Sequence, residues 1–210
     1  STWAMGTALA SSSSSRDRRR DRHVNAVVRH RYREWPHLVE LDTPAPGEGE
    51  LLVRVVATSL NTADLDVALG RPPIARLGTG ALRPRRPHLG IDVAGVVEAV
   101  GGDVTGLAPG DAVWGDMFGT FGAFAERLVA PARRFSLKPA GLSFEHAACV
   151  PHSGLLALQG LTRHGGVRPG DRVLINGGGG CVGPFAIQIA TAWGAEVTAV
   201  DLAAKHDLLR

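Results

Sequence analysis

The fold class expected from the sequence is a β-rich domain followed by the first part of a doubly wound, parallel α/β sheet. Three observations in the 210 residues point to it. Short apolar, β-branched runs recur between glycines as far as about Pro139. After Pro139 the pattern turns helical. Near the end, one strand-like run passes through a glycine turn into a helical run and a second strand-like run, the order of a βαβ unit.

Composition bounds the function before any motif does. The chain is 44% hydrophobic and 20% charged, an ordinary globular balance. Its net charge of +3 comes from residues 1–23, which hold five arginines against two aspartates, so the remainder is neutral and no nucleic-acid surface is indicated. Residues 1–23 are expected to be a disordered or appended basic, Ser-rich extension. Their charges follow the weakly apolar part, the reverse of a secretory signal, and Asp17 and Asp21 argue against an organelle transit peptide. Cys149 and Cys181 show no CxxC spacing, which excludes a four-cysteine zinc knuckle and favours a reducing, cytoplasmic location. The longest uncharged run, Val173 to Ala195, contains six glycines and reads as a strand, turn and helix in water, with no membrane partner expected.

The elements follow in order. HLVEL and ELLVRVVATS (Glu50 to Ser59) read as strands joined in a hairpin across the DTPAPGEGE turn. Asn61 caps a short helix, TADLDVAL, ended by Gly70, before a loose Arg/Pro segment from Arg71 to Arg86. DVAGVVEAV, AVWGDM and GAFAERLVA supply further strands, as expected of a barrel or sandwich. SFEHAACV starts a helix at Ser143, and SGLLALQGLTRHG starts another with Ser153 as N-cap and Gly165 or Gly166 as stop. Tyr32, the only tyrosine, is expected on a first-strand surface.

The strongest local signal is DRVLINGGGGCVGPFAIQIATAWGAEVTAVD. A strand from Arg172 to Ile175 and a helix to about Trp193 enclose Gly178, Gly180 and Gly183 in a G-x-G-x-x-G turn, and a second strand, Glu196 to Val200, ends at Asp201. In such a turn Gly178 permits tight curvature, Gly180 lets a pyrophosphate approach, and Gly183 lets helix and strand pack. The helix N-terminus then offers unpaired N–H groups to phosphate, and Asp201 can accept from the ribose hydroxyls. Cys181 and Val182 complete the turn, with Cys181 read as a tolerated packing residue.

Six segments in this order resemble the medium-chain dehydrogenase/reductase superfamily, and specifically its zinc-independent quinone oxidoreductase branch. They are SLNTADL (Ser59 to Leu65), GIDVAGVVEAVG (Gly90 to Gly101), GDAVWG (Gly110 to Gly115), GAFAE (Gly122 to Glu126), AACVPHSGLLALQGL (Ala147 to Leu161) and GDRVLINGGGGCVG (Gly170 to Gly183). The resemblance implies a GroES-like catalytic domain over residues 24–153 and a partial Rossmann domain over 154–210, with NAD(P)(H) in the cleft between them. It implies further βα units after Arg210, so the chain is expected to be about the first three fifths of a typical member, homodimeric when complete. Asn61, Thr62 and Asp64 match the family's N-x-x-D segment beside the nicotinamide, with Thr62 where proline is common. Asn61 is the expected catalytic polar contact. Asp92 falls where zinc-dependent relatives have a histidine, Asn61 where they have a cysteine, and Cys149 roughly at the third ligand.

Such a set is a poor zinc shell, so the expected chemistry is zinc-free hydride transfer to a small quinone or enone, where conjugation spreads the developing charge. No convincing proton donor emerges: His152 reads more readily as a capping-region residue that could narrow the pocket. Lys205 resembles a lysine that binds the extra phosphate of NADPH, but Asp201 would repel that phosphate, so NAD(H) is slightly favoured. The alternatives are a non-catalytic nucleotide-binding or scaffold relative and a zinc-dependent alcohol dehydrogenase.

Overall fold

The computed structural model describes residues 22–208, so residues 1–21 of the expected extension 1–23 lie outside the described residues, while its last residue, His23, opens the first strand. The β-rich part contains β1 (His23–Val28), β2 (His37–Asp42), β3 (Glu50–Thr58), β4 (Asp92–Val100), β5 (Ala112–Asp116), β6 (Arg127–Pro131) and β7 (Phe135–Leu137). Antiparallel pairing gives a five-stranded sheet in the order β6-β3-β4-β5-β7 and a separate β1-β2 pair. Bridges Ala26 to Ala125 and Val28 to His88 tie β1 to the segments that lead into β6 and β4. Alternating residues of β3, β4 and β5 send Leu51, Val53, Val93, Val97 and Val113 into a core closed by Met117, Leu128 and Phe135.

The expected hairpin between β2 and β3 does not form. β2 pairs with β1 in the register His37 to Val28, while β3 lies between β6 and β4 in the other sheet. Leu51 to Val53 are buried on successive positions, so both faces of β3 are covered there, and β4 and β6 pair with its two edges. The Pro-rich connector therefore carries the chain from one sheet to the other. β1 and β7 were not marked in the sequence. Tyr32 lies beyond β1, its ring between the Arg29 and Arg76 guanidinium groups at 5.1 and 4.5 Å, and its hydroxyl donates to the Gly80 carbonyl at 2.7 Å. It is a structural tether of the Arg/Pro segment and not a first-strand surface residue.

The helices are α1 (Thr62–Leu69), α2 (Arg76–Thr79), α3 (Phe144–Ala148), α4 (Pro151–Thr162) and α5 (Gly183–Ala192). Asn61 and Gly70 cap α1 as expected, Gly70 in the left-handed conformation at φ 65°. Ser143 caps α3 by accepting from the His146 N–H. Ser153 does not cap α4: the helix begins at Pro151, whose fixed φ suits the first helical position, and Ser153 is buried inside its first turn. The expected division after residue 153 therefore falls within α4. The helix runs from the β-rich sheet to the last unit, where Ala157 and Leu161 pack on Ala186 and Ala190 of α5.

That last unit is β8 (Arg172–Asn176), α5 and β9 (Glu196–Val200), with β8 and β9 parallel in the register Val173 to Val197. Two parallel strands joined through a helix form the opening βαβ unit of a Rossmann domain. No described helix is long and apolar enough to cross a membrane.

Candidate functional site

The site is built where α1, β4, β5 and α4 converge on Asp92. This carboxylate, the first residue of β4, is fully buried. Its Oδ2 accepts from Asn61 Nδ2 at 2.7 Å and from Ser59 Oγ at 3.2 Å, and its Oδ1 accepts from the His152 backbone N–H at 2.7 Å. The last bond follows from helix geometry: His152 is the second residue of α4, and its N–H is one of the four that a helix start leaves unpaired. Burial pushes the Asp92 carboxyl up, against the opposing pull of its hydrogen bonds to His152, Asn61 and Ser59.

Asn61 does two jobs with one amide. Its Oδ1 accepts from the Ala63 and Asp64 N–H groups, while the Asp64 carboxylate accepts from the Asn61 N–H at 3.0 Å, a reciprocal capping box. One Nδ2 hydrogen goes to Asp92, which leaves the second as a donor. Asp64 is buried with Oδ1 unpartnered, and that burial is the main reason its pKa is pushed up to about 6.

The antiparallel register sets Asp92 directly opposite Asp116 of β5, so two carboxylates face each other on neighbouring strands. His152 joins them, its backbone N–H on Asp92 and its ring Nδ1 3.2 Å from Asp116 Oδ2. Phe118 stacks on the imidazole with ring centres 5.2 Å apart. The hydrogen bond to Asp116 raises the His152 pKa despite burial. Burial would raise Asp116, but His152, the Phe118 N–H and Arg134 outweigh it and hold the carboxyl below its ordinary value.

Cys149 does not join this cluster. Its thiol is exposed and donates to the Glu145 carbonyl within α3 at 3.4 Å, and the residue brought to Asn61 and Asp92 is His152. Among the described residues no three His, Cys, Asp or Glu side chains form a metal-holding group. The sequence marked Asn61, Thr62 and Asp64 but missed Asp116 and Phe118, because the β4-β5 register that places Asp116 cannot be read from either strand alone.

The glycine turn meets this cluster through α1. Thr62 Oγ1 lies 3.4 Å from Cys181 Sγ, and this hydrogen bond is the chief reason the thiol pKa falls. Gly177, and not Gly178, takes the left-handed conformation, at φ 85°. A Cβ on Gly183 would lie 2.3 Å from the Gly178 carbonyl, so helix and turn touch backbone to backbone. Val182 precedes α5 without any side-chain cap, so the first turn of the helix receives no side-chain acceptor there. Asp201 Oδ2 accepts from the Gly179 N–H at 2.8 Å, and Oδ1 from the Leu202 N–H at 2.7 Å. Lys205 Nζ is 3.7 Å from Asp201 Oδ1. The Leu202 bond leads the interactions that hold the Asp201 carboxyl below its ordinary value.

Comparison with known proteins agrees with this architecture. Residues 47–140 match the alcohol dehydrogenase GroES-like domain. The pikromycin polyketide synthase component PikAII of Streptomyces venezuelae is 38% identical over 176 residues, 83% of this chain and 4% of that protein. The quinone oxidoreductase from Coxiella burnetii superposes with a TM-score of 0.79 at 32% identity, covering 89% of this chain and 59% of that one. CurK enoyl reductase does so at 0.76 and 27%, covering 89% and 56%. The chain thus spans little more than half the length of these solved structures and a small part of the synthase. With a GroES-like domain leading into a glycine-turn βαβ unit, the chain belongs to the medium-chain dehydrogenase/reductase superfamily.

Proposed function

We propose that this chain forms the catalytic domain and the opening nucleotide-binding unit of an NAD(P)H-dependent reductase acting on a carbon–carbon double bond conjugated to a carbonyl, without catalytic zinc. The observation that carries the reading is the saturation of the Asn61–Asp92–His152 cluster. Each Asp92 oxygen holds a hydrogen bond, and both lone pairs of Asn61 Oδ1 are spent on helix capping. An amide and an already bonded carboxylate are weak competitors for zinc. An acceptor that spreads charge by conjugation is the one such a site can reduce with hydrogen bonds alone.

The turn fits a dinucleotide. The close approach at Gly183 and the uncapped start of α5 make a cradle for a pyrophosphate at Gly178, Gly180, Cys181, Val182 and Gly183. Asp201 and Lys205 stand at the end of β9 for the adenosine ribose, with NAD(H) favoured. When bound, the nicotinamide supplies a hydride. The protein's part is to hold that donor against the acceptor: Thr62 and Cys181 join α1 to the turn, and the second amide hydrogen of Asn61 is offered to the bound pair.

Between the two acceptor classes represented among the relatives, an enoyl thioester is favoured over a quinone. Identity to a polyketide synthase component exceeds that to the quinone oxidoreductase, and an enoyl reductase shares the fold. The test supplies the intact protein with NADH or NADPH and either crotonyl thioester or benzoquinone, before and after exhaustive chelation. Thioester reduction that survives chelation is expected. Activity lost with chelator and restored by zinc, or no reduction of either acceptor, overturns the reading.

A further inference from the structure

The proposed reduction needs a proton as well as a hydride, and the sequence offers no evident donor. We infer that His152, oriented by Asp116, is the general acid that delivers this proton from Nε2.

The geometry makes the case. Asp92 and Asp116 face one another across β4 and β5, and ionised carboxylates so placed repel unless a cation stands with them. His152 is the residue bonded to both. Its Nδ1–H donates to Asp116, which fixes the ring orientation and leaves Nε2 as the site of the second proton. Phe118, itself half exposed, stacks on one face of the ring and favours the same orientation. The side chain retains 11% exposure, and among the described residues none bonds Nε2. Its backbone shares the Asp92 carboxylate with Asn61, and the next residue after Asn61 touches the glycine turn, so the ring lies in the cluster that adjoins the cofactor cradle.

The groups facing the imidazole act together. Asp116 from β5, Asp92 from β4 and Asp64 from α1 all favour the charged ring, burial opposes them, and Arg134, which donates to the Asp116 carbonyl, also favours the ionised Asp116. The net effect raises the His152 pKa above its ordinary value.

The step balances as follows. Hydride from NAD(P)H bonds to the β-carbon of the enoyl thioester, the π electrons move to the carbonyl oxygen as an enolate, and NAD(P)+ is left. The Nε2–H bond then breaks and its proton bonds to the α-carbon, completing a saturated thioester and a neutral His152, which regains a proton from water. This role rests on the function proposed above.

Two measurements on the intact protein test it. In an NMR titration of the histidine Cε1–H signals, His152 should titrate above the ordinary value, and Asp116→Asn should move its pKa down towards that value. His152 titrating at or below the ordinary value in the wild type overturns the assignment. In kinetics, His152→Gln, which keeps the backbone bond to Asp92, should lower kcat about a hundredfold or more with KM little changed. Asp116→Asn should move the alkaline fall in kcat to lower pH. Wild-type reduction with His152→Gln equally fast, or with the alkaline fall unmoved in Asp116→Asn, overturns the role of His152 and leaves the proposed function standing. Failure of the wild type to reduce any enoyl thioester overturns the proposed function and this role with it, whatever the titration shows.

Discussion

Asn61 and His152, from different helices and far apart in sequence, are held by opposite oxygens of one buried carboxylate, Asp92, each at 2.7 Å. The carboxylate is thus the joint between α1, which carries the N-x-x-D segment, and α4, which runs on to the βαβ unit.

Removing that joint should be costly. Asp92→Ala leaves the Asn61 amide and the His152 N–H without their acceptor inside the protein, and an unpaired buried donor costs about 1–3 kcal/mol. Relief of the repulsion with Asp116 offsets part of this. A net loss of about 2–4 kcal/mol is expected in urea unfolding, with Asp92→Asn falling between the two because one acceptor oxygen remains. An unchanged midpoint in Asp92→Ala would show that the joint is not structural.

Asp64 gives the fold a pH dependence. Its folded pKa, pushed from 3.8 up to about 6, lies above the unfolded value, so the folded state holds the proton more tightly. Its contribution is complete below the unfolded pKa and is lost as pH rises towards 6. At 1.36 kcal/mol per pKa unit the shift corresponds to about 3 kcal/mol at most, and solvent screening reduces it. Asp64→Asn cannot titrate, so its stability relative to wild type should improve progressively from pH 4 to 7. Parallel stability curves for the two proteins across that interval would contradict the linkage.

How much of this was legible depends on the range of the interaction. Asn61, Gly70 and Ser143 act within a few residues of where they sit, and their caps were readable from residue type and spacing. The βαβ turn was equally local. The partner of β2 was not readable, because pairing with β1 or β3 leaves the same alternation in β2 itself. The site suffered most from this limit. Asp92 against Asp116 is a matter of register, and His152 seemed a capping-region residue because Ser153 seemed the better N-cap, whereas Pro151 starts the helix and turns the His152 N–H onto Asp92. The left-handed residue of the turn, Gly177, was likewise hidden among four consecutive glycines.

Gly183→Ala tests the packing of the turn. The added carbon would lie 2.3 Å from the Gly178 carbonyl and 2.5 Å from that of Gly177, both backbone atoms that cannot rotate away. Helix α5 or the turn must shift, a strain of about 1–3 kcal/mol. Both thermal stability and nicotinamide nucleotide affinity should fall. At Gly180 the nearest atom to an added carbon is the Gly177 carbonyl at 3.2 Å, so Gly180→Ala should be milder in stability. Equal melting temperatures for Gly183→Ala and wild type would refute the close approach.

In the function proposed above, Asp201 is the residue that distinguishes the two nicotinamide nucleotides, and its surroundings favour NAD(H). The carboxylate is ionised, held below its ordinary pKa by the Leu202 and Gly179 N–H groups and by Lys205. It stays at the turn because both oxygens are hydrogen-bonded there. A ribose 2′-phosphate placed beside it would set like charges together, a penalty of about 1 kcal/mol at 4 Å even at the dielectric constant of water. Lys205 reduces the penalty without reversing it, since its ammonium already pairs with the same carboxylate and its stem lies over Gly179. NADH should therefore bind more tightly than NADPH, by about fivefold on that energy. Lys205→Ala should widen the gap by exposing the carboxylate, and Asp201→Ser should narrow or invert it. Dissociation constants for both nucleotides, measured by fluorescence titration across the three proteins, provide the check. Tighter NADPH binding that persists in Lys205→Ala would show that Asp201 does not face the ribose.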